Sequence, residues 1–586
     1  MKQLLTSTCL TGTLLYALLV RFIAVFVVEL VEQGGLTTSP TYTDVDYHVI
    51  SDAGALFLNG YSPYDRPTFR YPPILAFIGA LNHLIHPTVG KLIFSVVDVI
   101  AGAAMYAILV GDGVDSSVAL DSIRWLWLFN PVVVNISTRG SADVLPCCCT
   151  LLSILGAMAY VRQRRRQEES TPSESPTPEN LELGRMFLCC SPLVGGSVAH
   201  GIGIHLKIYP IIFLPAFLAF LGPFLPSLHR CTQSSSPQIS RHLSISSFCW
   251  LWVAQATKRY GITPEALLWL GVSLGTAGAL TAASSVRFGS SFWHEAVAHH
   301  FSRADHRHNY SIWWLALYLV YDDDVPYSQS QHELSSTGVG MVSDGGGSRL
   351  HMGSSSTPSF DSDVGNRSAG FESAAAMSWR CRALGLGAMV PQAAAVLLAA
   401  HGLLRPPRQR PTLAVACKAK SRGAGNSNDT TASCSSNEAQ AVRPEPLPCV
   451  SVPSSPRGRL PLCLFVTAAA FVHLNKVVTA QYLVWYLSLF PLVWPHLDFK
   501  RAQEEERGGE SRKDGSWKPK AWEGAACACV WALSLVGWLG CAYALEFRGC
   551  DVWIALWAAS LVVFASSITA IAVVLKAHVA LQHSVE

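Results

Sequence analysis

The chain has 586 residues, half of them hydrophobic and only 14% Asp, Glu, Lys or Arg, with a formal net charge of +3. A soluble domain carries about 25% charged residues, whereas here the apolar residues gather in runs of about 18 to 25, each able to cross a hydrocarbon core of about 30 Å. That excludes a soluble globular enzyme, a nucleic-acid binder and a secreted disulfide scaffold, and so balanced a charge does not argue for polyanionic partners.

The sequence therefore reads as an all-α, polytopic helical membrane protein with about twelve transmembrane helices. The first run, Leu10–Val31, follows a short segment bearing Lys2. It is too long for a signal-peptide core and has no small-x-small site, so it is expected to be a signal anchor with a cytosolic N-terminus. Pro72–His86 is short for a span and is expected to form a lumenal amphipathic helix opened by Pro72 and Pro73. Further spans are expected at Lys91–Val110, Ile123–Thr138, Val144–Val161, Met186–Ile204, Ile208–Leu225 and Pro264–Val286. Trp313–Tyr321 is too short to cross and is read as interfacial or re-entrant. The last spans are expected at Ser378–Leu404, Pro461–Leu474, Tyr482–Pro495, Trp522–Leu545 and Val552–Leu575.

Basic loops are retained in the cytosol. Arg162, Arg164, Arg165 and Arg166, then Arg405, Arg408 and Arg410, then Lys500, Arg501, Lys518 and Lys520 all fall on one side if the N-terminus is cytosolic. The chain is expected to be one membrane domain over residues 1–586, with a first lumenal loop at 32–90. Residues 323–376 and 411–459, rich in Ser, Gly, Asn and Pro, are expected to be disordered insertions, because they cannot bury enough apolar surface to offset their ordering entropy. The Asn366-Arg367-Ser368 sequon lies in a segment expected to be lumenal. Cysteines sit in apolar runs, as at Cys147-Cys148-Cys149, and read as small hydrophobes rather than a disulfide or zinc framework.

The informative residues are the polar ones outside the spans, on the side opposite the basic loops. Asp44-Val45-Asp46 follows the first span, and in an extended conformation its two carboxylates project the same way. Such a pair can hold a divalent ion, or accept a proton from an attacking hydroxyl; it can also merely cap a helix. The same side carries Arg70, Arg139, Asp143, His205 and Lys207, then Arg303, Asp305 and Arg307, then Asn475, Lys476 and Gln481. Cations converging from separate loops would suit a phosphate leaving group. His299, His300, His306 and His308 could ligate metal, but they lack a helical i, i+4 pair backed by a carboxylate. Within the spans, Arg21 and Asp98 are expected to pair for structure rather than transport.

Read in order, several blocks resemble the glycosylphosphatidylinositol (GPI) mannosyltransferase I family, polytopic glycosyltransferases of GT-C type. They are Tyr42-Thr43-Asp44-Val45-Asp46-Tyr47, Gly60-Tyr61-Ser62-Pro63-Tyr64, Phe69-Arg70-Tyr71-Pro72-Pro73, Phe129-Asn130-Pro131 and Ser137-Thr138-Arg139-Gly140-Ser141-Ala142-Asp143. His205-Leu206-Lys207-Ile208-Tyr209-Pro210, the run from His300 to Asn309, the run from Asn475 to Tyr486, and Leu545-Glu546-Phe547-Arg548-Gly549 follow. The blocks are collinear from about residue 42 to 549. Ser141 and Asp143 stand where the family more often has Asn and Glu, and Pro72 where it often has Thr.

The resemblance implies transfer of mannose from dolichyl-phosphate mannose to the glucosamine of glucosaminyl-phosphatidylinositol, in α-1,4 linkage, at the lumenal face of the endoplasmic reticulum membrane. It maps the family's acid-x-acid motif onto Asp44 and Asp46 as catalytic residues, and implies a small accessory membrane subunit. No nucleotide sugar is called for, and a divalent metal is left open, because side chains alone can neutralise a lipid phosphate. The alternatives are a sibling enzyme using the same donor on an N-glycan precursor, and a lipid or solute transporter. The latter would call for repeat symmetry and charges near the midplane.

Overall fold

The computed structural model describes residues 2–34, 42–170, 179–222, 263–302, 309–324, 379–404, 458–497 and 521–585. The two segments expected to be insertions lie almost wholly outside these, as do Arg303, Asp305, Arg307, His306 and His308.

The first span is a single helix, α1 (Lys2–Gln33), apolar along its length and exposing Leu15, Leu19 and Ile23 as a lipid-facing helix would. The loop beyond it is a helical hairpin. α2 (Val45–Leu58) starts at the N-cap Asp44, and α3 (Pro73–Leu84) starts on Pro73, which has no N–H to leave unpaired. The two helices cross at Gly54 and Gly79, where an added Cβ would lie 2.2 Å from Ala80 N and 2.1 Å from Ile50 O respectively. Only glycine permits that approach.

α4 (Val89–Gly111) is the second span. The third is interrupted: α5 (Ser116–Ile123) runs into a π-helical turn over Arg124–Leu128, the chain breaks at Asn130-Pro131, and α6 (Pro131–Thr138) restarts with Asn130 accepting from Val132 N at 3.0 Å. Pro131 cannot donate to the preceding turn, so the expected continuous helix over Ile123–Thr138 is not formed. α7 (Val144–Ser170) and α8 (Glu179–Leu206) pack through Gly156 and Gly196, and a turn at Tyr209–Phe213 leads into α9 (Leu214–Leu221). α10 (Pro264–Phe292) bends at Gly289, whose φ of 67° and ψ of −151° suit only glycine, and continues through a π-helical segment to α11 (His299–Ser302).

α12 (Trp314–Asp324) is the short run expected to be interfacial; it buries Trp314. α13 (Trp379–Gly387) and α14 (Met389–Leu404) follow, then α15 (Arg459–His473), which is buried along most of its length. The expected span Tyr482–Pro495 is short pieces: α16 (Leu483–Leu487), α17 (Phe490–Val493) and a turn at Trp494–His496, punctuated by Pro491 and Pro495. α18 (Ala521–Arg548) and α19 (Trp553–Val585) form a long C-terminal hairpin.

Helix thus stands at every expected span. Among the described residues, seven helices are long and apolar enough to cross a membrane. The others are shorter, proline-broken or described in part. The molecule is an all-α polytopic membrane protein. Its core gathers α4, α7, α9, α15 and α16, while α18 leaves Val530, Leu533 and Val536 exposed. Arg21 and Asp98 do pair, at 2.7 Å and fully buried, and Arg21 also donates to Leu128 O at 2.8 Å.

Candidate active site

The acid-x-acid motif sits at a helix start. Asp44 is extended (φ −66°, ψ 137°), and its Oδ1 accepts from the Asp46 backbone N at 3.1 Å. Asp46 already lies in the first turn of α2, so a helix cap folding back, not an extended strand, brings the carboxylates together. Gln481, from a turn at Ala480–Tyr482 far along the chain, donates through Nε2 to Asp44 Oδ2 at 3.0 Å and to Asp46 Oδ2 at 3.1 Å. Two carboxylates that would repel are thus held around one neutral amide.

An ion pair between half-buried Lys207 and buried Asp143 lies beside them. Lys207 Nζ is 2.5 Å from Asp143 Oδ1, and Trp485 Nε1 donates to Asp143 Oδ2 at 3.2 Å. Trp485 is stacked between Tyr209, with centroids 3.9 Å apart, and Tyr482, at 4.2 Å. Burial works against the Lys207 charge, but the Asp143 carboxylate, with Tyr482 and Asp46 adding, holds its ammonium above the ordinary lysine value. Tyr71 closes the group: burial pushes its phenol well above the usual range, and the Asp46 and Asp143 carboxylates push it further. The cluster therefore presents proton-accepting carboxylates next to a fixed cation, the pair of charges that a hydroxyl attacking a phosphate-activated carbon calls for.

The other expected residues divide. Arg139 works through its main chain and its guanidinium: its carbonyl accepts from Asp44 N at 3.0 Å, and its Nε donates to Tyr42 O at 2.8 Å. Arg70 lies against Glu295 at 3.5 Å and meets the imidazole of His299, while His300 Nε2 is 3.3 Å from Arg70 O. His205 turns to Thr281 of α10, its Nδ1 3.1 Å from Oγ1, rather than to the aspartates. Asn475 accepts from Val477 N at 3.4 Å and through its carbonyl from Ser311 Oγ at 2.6 Å; it shapes the turn that leads to Gln481. Lys476 is buried. Arg303, Asp305 and Arg307 lie outside the described residues.

Sequence reasoning did not single out Tyr71 or Trp485, although both stand in the blocks that carry the resemblance. An aromatic residue at a span end reads first as interfacial. Nor does the sequence show what holds the Gln481 turn. Asn309 Oδ1 accepts from Val478 N at 3.2 Å, Tyr310 N donates to Val478 O at 3.0 Å, and Ser560 of α19 is 3.4 Å from Asn309 O while accepting from Trp314 Nε1 and Trp538 Nε1.

Among the described residues no three or more His, Cys, Asp and Glu side chains are grouped to hold an ion, and the Gln481 amide hydrogens point at the oxygens a metal would need.

The family model for Mannosyltransferase (PIG-M) matches residues 136–336 and 426–575. "GPI mannosyltransferase 1" of Dictyostelium discoideum is 25% identical over 533 residues, covering 90% of this chain and 83% of the relative. "GPI alpha-1,4-mannosyltransferase I, catalytic subunit" of Danio rerio is 24% identical, covering 89% and 85%. "GPI mannosyltransferase 1" of Trypanosoma brucei brucei is 25% identical, covering 89% and 84%. With the family match spanning more than half of the chain, its long membrane helices intact and an acidic site beside a fixed cation, this protein belongs to the PIG-M family of mannosyltransferases and is a membrane glycosyltransferase.

Proposed function

We propose that the protein transfers the first mannose, in α-1,4 linkage, from dolichyl-phosphate mannose to the glucosamine of a glucosaminyl-phosphatidylinositol. The reaction takes place at the lumenal face of the endoplasmic reticulum membrane, with a small accessory membrane subunit as partner. The observation that carries the reading is the meeting of Asp44 and Asp46 on Gln481 beside Lys207 and Asp143. The names of the relatives support the acceptor class, and a relative named as a catalytic subunit supports a further subunit.

In this reading one of the two aspartates takes the proton from the acceptor 4-hydroxyl as its oxygen attacks the anomeric carbon. The bond from that carbon to the lipid phosphate breaks, and the electron pair leaves with the phosphate. Lys207, kept charged by Asp143, offsets the developing negative charge, with Arg303 and Arg307 as further candidates. Attack opposite a β-linked phosphate inverts the centre and yields the α product. Arg70, Arg139 and Gln481 shape the pocket rather than react.

The test is Asp44→Asn and Asp46→Asn, made separately and assayed for mannose transfer in microsomes. At least one is expected to lose about 10²- to 10⁴-fold, the range for a positioned acid or base. Unmannosylated glucosaminyl-phosphatidylinositol is expected to accumulate in cells. Full activity in both variants would overturn the assignment.

A further inference from the structure

Tyr42 and Thr43, the two residues entering Asp44, have their polar groups bound from outside the catalytic cluster. Glu32, near the end of α1, accepts through Oε1 from the backbone N of Tyr42 at 2.7 Å and of Thr43 at 2.9 Å. Its Oε2 accepts from Thr43 Oγ1 at 2.6 Å. The same Thr43 hydroxyl accepts from Lys91 Nζ at 2.8 Å. Its proton is therefore committed to Glu32 and its lone pair to Lys91, so the hydroxyl has one orientation. Lys91 is 2% exposed and 3.6 Å from Glu29 Oε2, a second carboxylate one turn back on α1. On the far side, Arg139 holds Tyr42 O and Asp44 N. Tyr42 N and Thr43 N are thus fixed by Glu32, and Tyr42 O and Asp44 N by Arg139, ahead of the carboxylate.

From this we infer that Glu32, Lys91 and the Thr43 hydroxyl form a charge-aligned clamp that sets the position of Asp44, making all three positioning residues for the transfer reaction. The inference rests on the reading of Asp44 and Asp46 as the reacting carboxylates. None of the three is hydrogen-bonded to the Asp44 or Asp46 carboxylate; their side chains' polar partners are one another, Glu29 and the backbone ahead of Asp44. The physical reason for such a clamp is the junction itself: Asp44 caps α2 from a non-helical conformation, and the cap's own hydrogen bond to Asp46 N does not fix where the cap sits relative to α1 and α4. The chain enters this cap from a membrane helix, and a displacement of about 1 Å between base and hydroxyl can cost about 10²-fold in rate. Glu32 ties the cap to α1 and Lys91 ties it to α4, through one hydroxyl.

The test measures kcat and KM for mannose transfer at equal amounts of folded full-length protein in membranes, for Thr43→Val, Thr43→Ser, Glu32→Gln, Asp44→Asn and Asp46→Asn. Thr43→Val keeps the shape and removes the hydroxyl; Glu32→Gln keeps the shape and turns an acceptor into a donor facing Thr43. Both are expected to lower kcat about 10- to 100-fold while KM stays within about 3-fold, and Thr43→Ser, which keeps the hydroxyl, to stay within about 3-fold of the parent. Parental kcat in Thr43→Val and Glu32→Gln would overturn the clamp, as would an equal fall in Thr43→Ser. If Thr43→Val does not accumulate folded protein, Glu32→Gln decides. Full activity in both Asp44→Asn and Asp46→Asn would instead strike the site reading itself, whereas loss in either beside fully active Thr43→Val and Glu32→Gln would remove the clamp alone.

Discussion

Arg21 and Asp98 show what a charge costs inside a bundle and what makes it tolerable. At 2.7 Å and fully buried, with Arg21 also donating to Ala17 O and Leu128 O, the pair joins α1, α4 and the π-helical turn that ends at Leu128. Removing one member strands the other, and Asp98→Ala is expected to lower stability by about 3 to 5 kcal/mol. Thermal unfolding of the protein in detergent would read it, and the double variant Arg21→Met with Asp98→Leu is expected to recover most of the loss. The pairing itself was legible in the sequence, because two isolated opposite charges in apolar runs have few other ways to be buried. The role of Gln481 was harder to read. Its polarity near a span end marks it as a site residue, but nothing local says that its amide will bridge Asp44 and Asp46, residues more than 430 positions away. Gln481→Leu is expected to lower transfer about 10- to 100-fold, because two carboxylates then face each other without a shared donor. Activity equal to the parent would show that the bridge is incidental.

Elements set the spacing of these residues. α2 carries Asp46, and α3 begins two residues after Tyr71; their crossing at Gly54 and Gly79 leaves no room for a side chain. Gly79→Val is expected to force the helices apart, pull Tyr71 from Asp46 and reduce transfer about 10-fold or more, while Gly12→Ala, in open space on α1, is not expected to do so. Comparison of the two variants in one microsomal assay would check this. Helices themselves were largely readable: apolar runs and Pro72-Pro73 before α3 are local signals. The interruption of the third span was not anticipated, since hydropathy averages over Pro131, whereas the backbone responds to the single N–H it lacks. The C-terminal hairpin acts at a distance. Ser560 of α19 gathers Trp314, Trp538 and Asn309, and Asn309 holds Val478 just ahead of Gln481. That support arises from packing and has no periodic signature.

For the whole molecule, the scarcity of charge becomes a division of labour. Basic residues concentrate in the loops that set orientation, and the acids at the start of α2 sit with Lys207 on the opposite side in the proposed topology. The tip of the α2–α3 hairpin offers a check. Tyr61 is 63% exposed beside Asn59-Gly60, so Tyr61→Thr completes an Asn-x-Thr acceptor on that tip. A lumenal loop is expected to show a mobility shift reversed by endoglycosidase, and an unmodified chain in a membrane that glycosylates a control sequon would place the loop elsewhere.

By itself, the sequence determined that this is a polytopic helical protein, which acids to watch, and which family its blocks resemble. Each of those follows from local composition or collinear motifs. Only the tertiary structure decided which residues meet: Gln481 with Asp44 and Asp46, Lys207 with Asp143 under a stack of three aromatic rings, Glu32 and Lys91 with Thr43. Such encounters depend on how distant helices pack, and packing is a property of the whole chain, because no segment's own propensity encodes the partner it will find.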